Sequence, residues 1–192
     1  RRLRNLCLGY LNELDSAEYR VLARQQFDAT DNMTDQFAAL SVLANATGEE
    51  GDRALADFYA RWQGEALVVD KWLAVQSSSR LPGTLARVES LTQHAAFDIR
   101  NPNKVYALLR TFGANHRHFH AADGTGYRFV AEQIVRLDPI NPQVASRLAR
   151  SFDRWRRFDS ERQRHSRAAL ESVRNQPGLS RDVFEVVDKA LS

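Results

Sequence analysis

The sequence predicts an all-α protein of about ten or eleven helices. Three observations lead there. Gly and Pro supply only 14 of 192 residues, about 7% against a typical ~12%. Ala, Leu and Arg supply 70, and all three are strong helix formers. Apolar residues recur at helical spacing nearly throughout, and no period-2 alternation lasts long enough to specify a strand. Sandwiches and barrels need more turn residues and β-branched runs than this chain has.

Residues 3–14 and 17–28 read as a hairpin turning around Asp15-Ser16. Thr34 is placed to cap a helix carrying Phe37, Leu40 and Leu43, and 50–62 carries Leu55, Phe58, Tyr59 and Trp62 before Gly64. Segment 65–77 is dense in apolar groups (Leu67, Val68, Val69, Trp72, Leu73, Val75), which predicts a central, buried helix. Pro82-Gly83 breaks the chain ahead of Leu85, Val88 and Leu91. Segment 101–115 opens Asn101-Pro102, a favoured N-cap followed by a favoured first helical residue. Its Val105, Leu108, Leu109 and Phe112 form one face. Gly126 leads into Tyr127, Phe129, Val130, Ile134 and Val135. Segment 141–158 repeats the Asn-Pro start, with Val144, Leu148, Phe152 and Trp155 as its stripe. The two starts lie 40 residues apart, a spacing that suits stacked helical hairpins. Helices at 160–175 and from Ser180 complete a single domain, 1–192, with no dividing linker.

Composition narrows the function. The lone Met is Met33 and the chain opens on Arg1, so it reads as part of a longer or processed polypeptide. A net charge of +3 is too small to call for a nucleic-acid or membrane partner. One cysteine suits a reducing, cytoplasmic setting. No apolar run is long enough to span a bilayer.

Few side chains suggest chemistry on their own. His116 and His120 stand at i, i+4 in His116-Arg117-His118-Phe119-His120, a metal-pair spacing, yet no Glu or Cys stands at matching distance. A loop of exposed imidazoles is the expectation. Asp123-Gly124-Thr125-Gly126 lacks the Gly-Lys-Ser/Thr ending of a phosphate loop and reads as a turn that starts a helix. Eight Arg fall in 147–167, diluted by Asp153, Asp159 and Glu161, which suits solvated helix faces with i, i+4 pairs. Asp70-Lys71 sits in the apolar helix and must bond to neighbouring helices or face a channel. Cys7 reads as a small core residue. No catalytic set and no metal site can be assembled.

Six strings, in order, carry a resemblance. They are Asn5-Leu6-Cys7-Leu8; Asn32-Met33-Thr34-Asp35 with Ala38-Ala39-Leu40; Leu67-Val68-Val69-Asp70-Lys71-Trp72; Asn101-Pro102-Asn103-Lys104; Phe119 through Tyr127; and Asn141 through Leu148. Together they resemble the C-terminal helical domain of bacterial aminopeptidase N, the alanyl aminopeptidase family of zinc metallopeptidases, over nearly the whole chain. The resemblance implies that these helices are antiparallel and form a right-handed superhelix (α-solenoid), a noncatalytic domain that caps the active site of a larger enzyme removing N-terminal residues from peptides and that encloses an internal cavity. The zinc and its H-E-x-x-H, with the G-A-M-E-N motif, belong to the catalytic domain; neither motif occurs here. This chain is then expected to hold no cofactor. Its partners would be the catalytic and N-terminal domains of the same chain and peptide substrates. The resemblance further implies Asn103, Lys104, Gln143 and Arg147 as lining the substrate channel. Tyr106 stands where some relatives carry Arg, and a phenol there can still donate one hydrogen bond. The rival expectation is a free-standing α-solenoid that binds a protein partner through its concave face.

Overall fold

The structure is a computed structural model that describes residues 1–14 and 16–192; the hairpin turn expected at Asp15 lies outside the described residues. Helices α1 (Arg2–Asn12), α2 (Ala17–Ala29) and α3 (Met33–Leu43) are followed by α4 (Glu50–Trp62), α5 (Ala66–Ser77) and α6 (Thr84–Leu91). Helix α7 (102–113) begins at Pro102–Val105, widens into a π turn at Tyr106–Arg110 and ends as α-helix at Thr111–Gly113. Then come α8 (His116–Phe119), α9 (Thr125–Leu137), α10 (Pro142–Ala149), two 3₁₀ turns (Arg150–Phe152, Trp155–Arg157), α11 (Ser160–Arg174) and α12 (Arg181–Leu191). No strand occurs among the described residues. Most packing joins near neighbours in the chain: α2 on α3, α4 on α5, α5 on α6 and on the π turn, α9 on α10 and α11, and α11 on α12. One apolar core runs unbroken from Leu8 to Val187. Such a stack is the α-solenoid arrangement the resemblance implies.

Local chemistry sets the boundaries. Asn101 Oδ1 accepts from Asn103 N–H (3.0 Å) and Asn141 Oδ1 from Val144 N–H (3.1 Å), with Pro102 and Pro142 as first helical residues. The expected cap at Thr34 is corrected: Asn32 caps α3, accepting from Asp35 N–H at 3.0 Å, and Thr34 lies inside the helix. Asn32 reaches the same donor set from two residues earlier, in extended backbone. The helix expected over 141–158 ends at Ala149. Its stripe of Val144, Leu148, Phe152 and Trp155 is nevertheless buried, because the 3₁₀ turns keep the side chains on the core side. Leu67 is 71% exposed, against its expected burial in α5, while Val69, Trp72, Leu73 and Val75 are buried as expected. Cys7 is exposed rather than core.

Polar ties connect layers at a few buried points. Asn115 Nδ2 donates to the carbonyls of Ser77 (2.9 Å) and Ser79 (2.8 Å), fixing the end of α7 to the end of α5. Trp72 Nε1 donates to Leu55 C=O at 2.9 Å. Asp138, at the end of α9, accepts from the backbone N–H (2.8 Å) and hydroxyl of Ser180, the cap of α12. Gly126 is needed for close approach, since a Cβ there would meet His118 C=O at 2.3 Å. Among the described residues no helix is long and apolar enough to cross a membrane.

Candidate functional site

Helices α7 and α10 bring two of the five expected lining residues together. Arg147 Nη1 donates to Tyr106 Oη at 2.9 Å, across 41 residues of sequence. The phenol oxygen thereby accepts, and its own O–H is still available to donate. Tyr106 opens the π turn. Thr111 Oγ1 donates to Tyr106 C=O at 3.2 Å, supporting the carbonyl where the backbone spacing widens. π turns are rare and tend to mark functional positions. This one leaves the Arg110 guanidinium 5.7 Å from the centre of the Tyr106 ring, in cation–π range.

Around this pair lies a groove of about 420 Å³ lined by Tyr106, Arg110, Gly113, Arg147, Arg150 and Ser151. Gly113 permits it: a Cβ there would sit 2.3 Å from Ser151 Oγ. Three guanidiniums thus line the groove beside one aromatic ring. Arg150 has a carboxylate at the fringe, Asp153 at 3.9 Å. Neither Arg110 nor Arg147 has an ion-pair partner among the described residues. Planar guanidinium forks suit bidentate binding of a carboxylate.

The other three candidates are placed differently. Lys104 is only 8% exposed. Its Nζ lies 2.8 Å from Asp70 Oδ1 and donates to Ala66 C=O at 3.1 Å. This is the cross-helix bond expected of Asp70, and it turns the ammonium toward α5 rather than into the groove. Asn103 and Gln143 are exposed in the first turns of α7 and α10, outside the groove lining. Arg110 went unread in the sequence, and Arg150 was read only as one of eight Arg on solvated helix faces. Their spacing from Tyr106 (i+4) and Arg147 (i+3) was the available signal.

The histidine string is a helical turn, not a loop of exposed imidazoles. Asn115 caps α8, and His120 is buried. The His120 ring stacks on Phe158 at 3.7 Å, and Nδ1 shares a 2.7 Å hydrogen bond with Tyr127 Oη. Burial, then the charges of His116 and Arg162, push His120 down to about 4. Burial pushes the Tyr127 phenol up to about 12. Arg162 Nε donates to His120 C=O at 2.7 Å, so the cluster pins α11 to the start of α9. Among the described residues no three His, Cys, Asp or Glu side chains are grouped to hold a metal ion. The resemblance assigns its zinc to a catalytic domain and asks no ligand of these residues. The acidic members of the 147–167 run are paired: Asp159 with Arg162 (2.5 Å) and Glu161 with Arg164 (3.7 Å), while Arg167 reaches Glu171 (2.9 Å).

Comparison with known proteins accords with this architecture. The chain is 40% identical along its whole length to the C-terminal part of Aminopeptidase N from Escherichia coli, and 40% identical to those of Haemophilus influenzae and Caulobacter vibrioides. It spans 22% of the length of each. Among solved structures, aminopeptidase A of Legionella pneumophila in complex with aspartic acid matches 99% of this chain and 22% of its own, with a TM-score of 0.93 and 36% identity. The family model described as "Domain of unknown function (DUF3458_C) ARM repeats" matches residues 1–192. The chain belongs to that family of helical-repeat domains.

Proposed function

We propose that this chain is part of the helical cap of a larger, zinc-dependent aminopeptidase of the cytoplasm, and that its groove receives the carboxylate of a peptide substrate. The observation that carries the proposal is the Tyr106–Arg147 pair flanked by Arg110, with two guanidiniums that no carboxylate of the described chain neutralises. Identity along the whole chain to aminopeptidases supports the wider assignment. Zinc, bound elsewhere in the whole protein, would activate water for attack on the N-terminal peptide bond.

This chain's part is shape and binding. Arg147 is oriented by Tyr106, so little side-chain freedom is lost when a carboxylate arrives. Asn103 and Gln143, in the exposed first turns of two helices, add polar edges beside free backbone N–H groups. Lys104 contributes at one remove, holding α7 against α5 through Asp70. Packing against the catalytic and N-terminal domains would close the groove, which strengthens its electrostatics by excluding water. The test is Arg147→Ala in the whole enzyme. It raises KM for short peptides and leaves hydrolysis of an alanyl anilide, which lacks a carboxylate, nearly unchanged. An equal effect on both substrates removes the proposed role.

A further inference from the structure

The groove around Tyr106 and Arg147 holds more donors than one carboxylate can use. Arg147 Nη1 is occupied by Tyr106 Oη at 2.9 Å, and its remaining N–H groups stand beside the Tyr106 O–H as one binding fork. Arg110 stands apart from that fork. Its guanidinium lies over the Tyr106 ring, 5.7 Å from the centroid. Contact through the flat face leaves the N–H groups on the guanidinium's edge free. Those groups donate to no atom among the described residues. Arg150 has only Asp153, at 3.9 Å, with both side chains half exposed or more. Ser151 adds a half-buried hydroxyl that has no hydrogen-bond partner among the described residues. The backbone holds this arrangement in place. Arg110 closes the π turn that Tyr106 opens, and Arg147 and Arg150 stand i, i+3 across the end of α10. No carboxylate is among the residues lining the groove. Three like charges gathered in about 420 Å³ repel one another. Asp153 offsets Arg150, and a peptide's α-carboxylate offsets Arg147, which leaves Arg110 unmatched.

We infer that the groove takes two carboxylates from one peptide, so that the whole enzyme favours substrates ending in Asp or Glu, with Arg110 receiving the side-chain carboxylate. The inference rests on the proposed reading of this groove as a peptide-carboxylate site. The α-carboxylate meets Arg147 and the Tyr106 O–H. The last side chain runs past the Tyr106 ring to the free edge of Arg110, whose planar fork matches a carboxylate. A terminal Gln has nearly the size and shape of Glu but turns an uncharged amide, itself part donor, toward a guanidinium. The groove therefore separates the two by charge and hydrogen-bond direction, with little help from size.

The test uses the whole enzyme and the tripeptides Ala-Ala-Glu and Ala-Ala-Gln, each as free acid and as C-terminal α-amide, with KM and kcat measured separately. As free acids, the Glu peptide has a KM about tenfold below that of the Gln peptide, the scale of one charge-assisted hydrogen bond, and kcat differs little. Arg110→Gln brings that ratio below about twofold. Arg110→Lys keeps the charge without the fork and retains part of the ratio. Arg110 is exposed, so neither change disturbs the core. Equal KM for the Glu and Gln peptides in wild type overturns the inference, and that comparison requires no variant to fold. A Glu preference that survives intact in Arg110→Gln overturns it too. So does a Lys variant as indifferent as the Gln variant, which gives Arg110 a packing role. The α-amides separate this inference from the reading beneath it. A wild type that favours free acids over α-amides without favouring Glu refutes only this inference. Indifference to α-amidation in both peptides refutes the proposed function on which it rests.

Discussion

Replacing Lys104 by Met keeps most of the side chain's length and removes its charge. Asp70 then loses the ammonium 2.8 Å from its Oδ1, in a site where the two side chains are only 11% and 18% exposed. Removing one partner of a buried ion pair costs about 3–5 kcal/mol, because the remaining charge stays desolvated. The residual exposure of Asp70 admits some water, which puts the expectation near the low end, about 3 kcal/mol. Loss of the Ala66 C=O hydrogen bond is included in that figure. For a chain of this size each kcal/mol moves the unfolding midpoint by roughly 2–4 °C, so Lys104→Met lowers Tm by about 6–12 °C. The assay is thermal unfolding at pH 7 followed by far-ultraviolet circular dichroism. Adding Asp70→Leu to Lys104→Met removes the stranded carboxylate and restores stability to within about 1 kcal/mol of wild type. A single variant that melts within a degree or so of wild type refutes the reasoning. So does a double variant that is merely the sum of two losses.

Two further predictions concern the ends of α7 and α8. His120 titrates near 4 when folded against 6.5 when unfolded, so it favours the folded state only while neutral. Its contribution is complete above pH 6.5 and is lost as pH falls from there toward 4. His120→Phe, which keeps the stack on Phe158, therefore shows a shallower fall in Tm between pH 6.5 and 4.5 than wild type. Identical slopes would count against this. Asn115→Ala leaves the carbonyls of Ser77 and Ser79 without their buried donor and costs about 2–3 kcal/mol in denaturant unfolding; a loss below ~0.5 kcal/mol would show that water replaces the amide.

The parts legible in the sequence were those decided within a few residues. Asn101-Pro102 and Asn141-Pro142 mark helix starts because a cap and its donor lie two or three positions apart. The apolar faces of α7, α9 and α10 followed from spacing, since the same periodicity that builds a face also buries it. What periodicity leaves open is what covers the face. Cys7 and Leu67 were read as core because they lie in apolar runs, yet both are exposed here. In the groove, Arg147 and Tyr106 came from the family resemblance. Arg110 did not, because the π turn that sets it over the Tyr106 ring has no propensity signal and depends on a hydroxyl at Thr111. Lys104 was named for the channel on its sequence string alone. Its partner Asp70 sits 34 residues earlier, and only the packing of α5 against α7 brings the two together.

The central claim is that this chain supplies recognition of a peptide's carboxylate to chemistry located elsewhere in the polypeptide. Its most direct measurement compares one alanyl tripeptide as free acid and as C-terminal amide, hydrolysed by the whole enzyme with Arg147 and with Arg147→Ala. A charge-assisted hydrogen bond in a closed groove predicts that wild type favours the acid in KM by about tenfold and that the variant loses most of this preference, with kcat little changed. A preference for the acid that survives intact in Arg147→Ala, or a wild type indifferent to the carboxylate, contradicts the account.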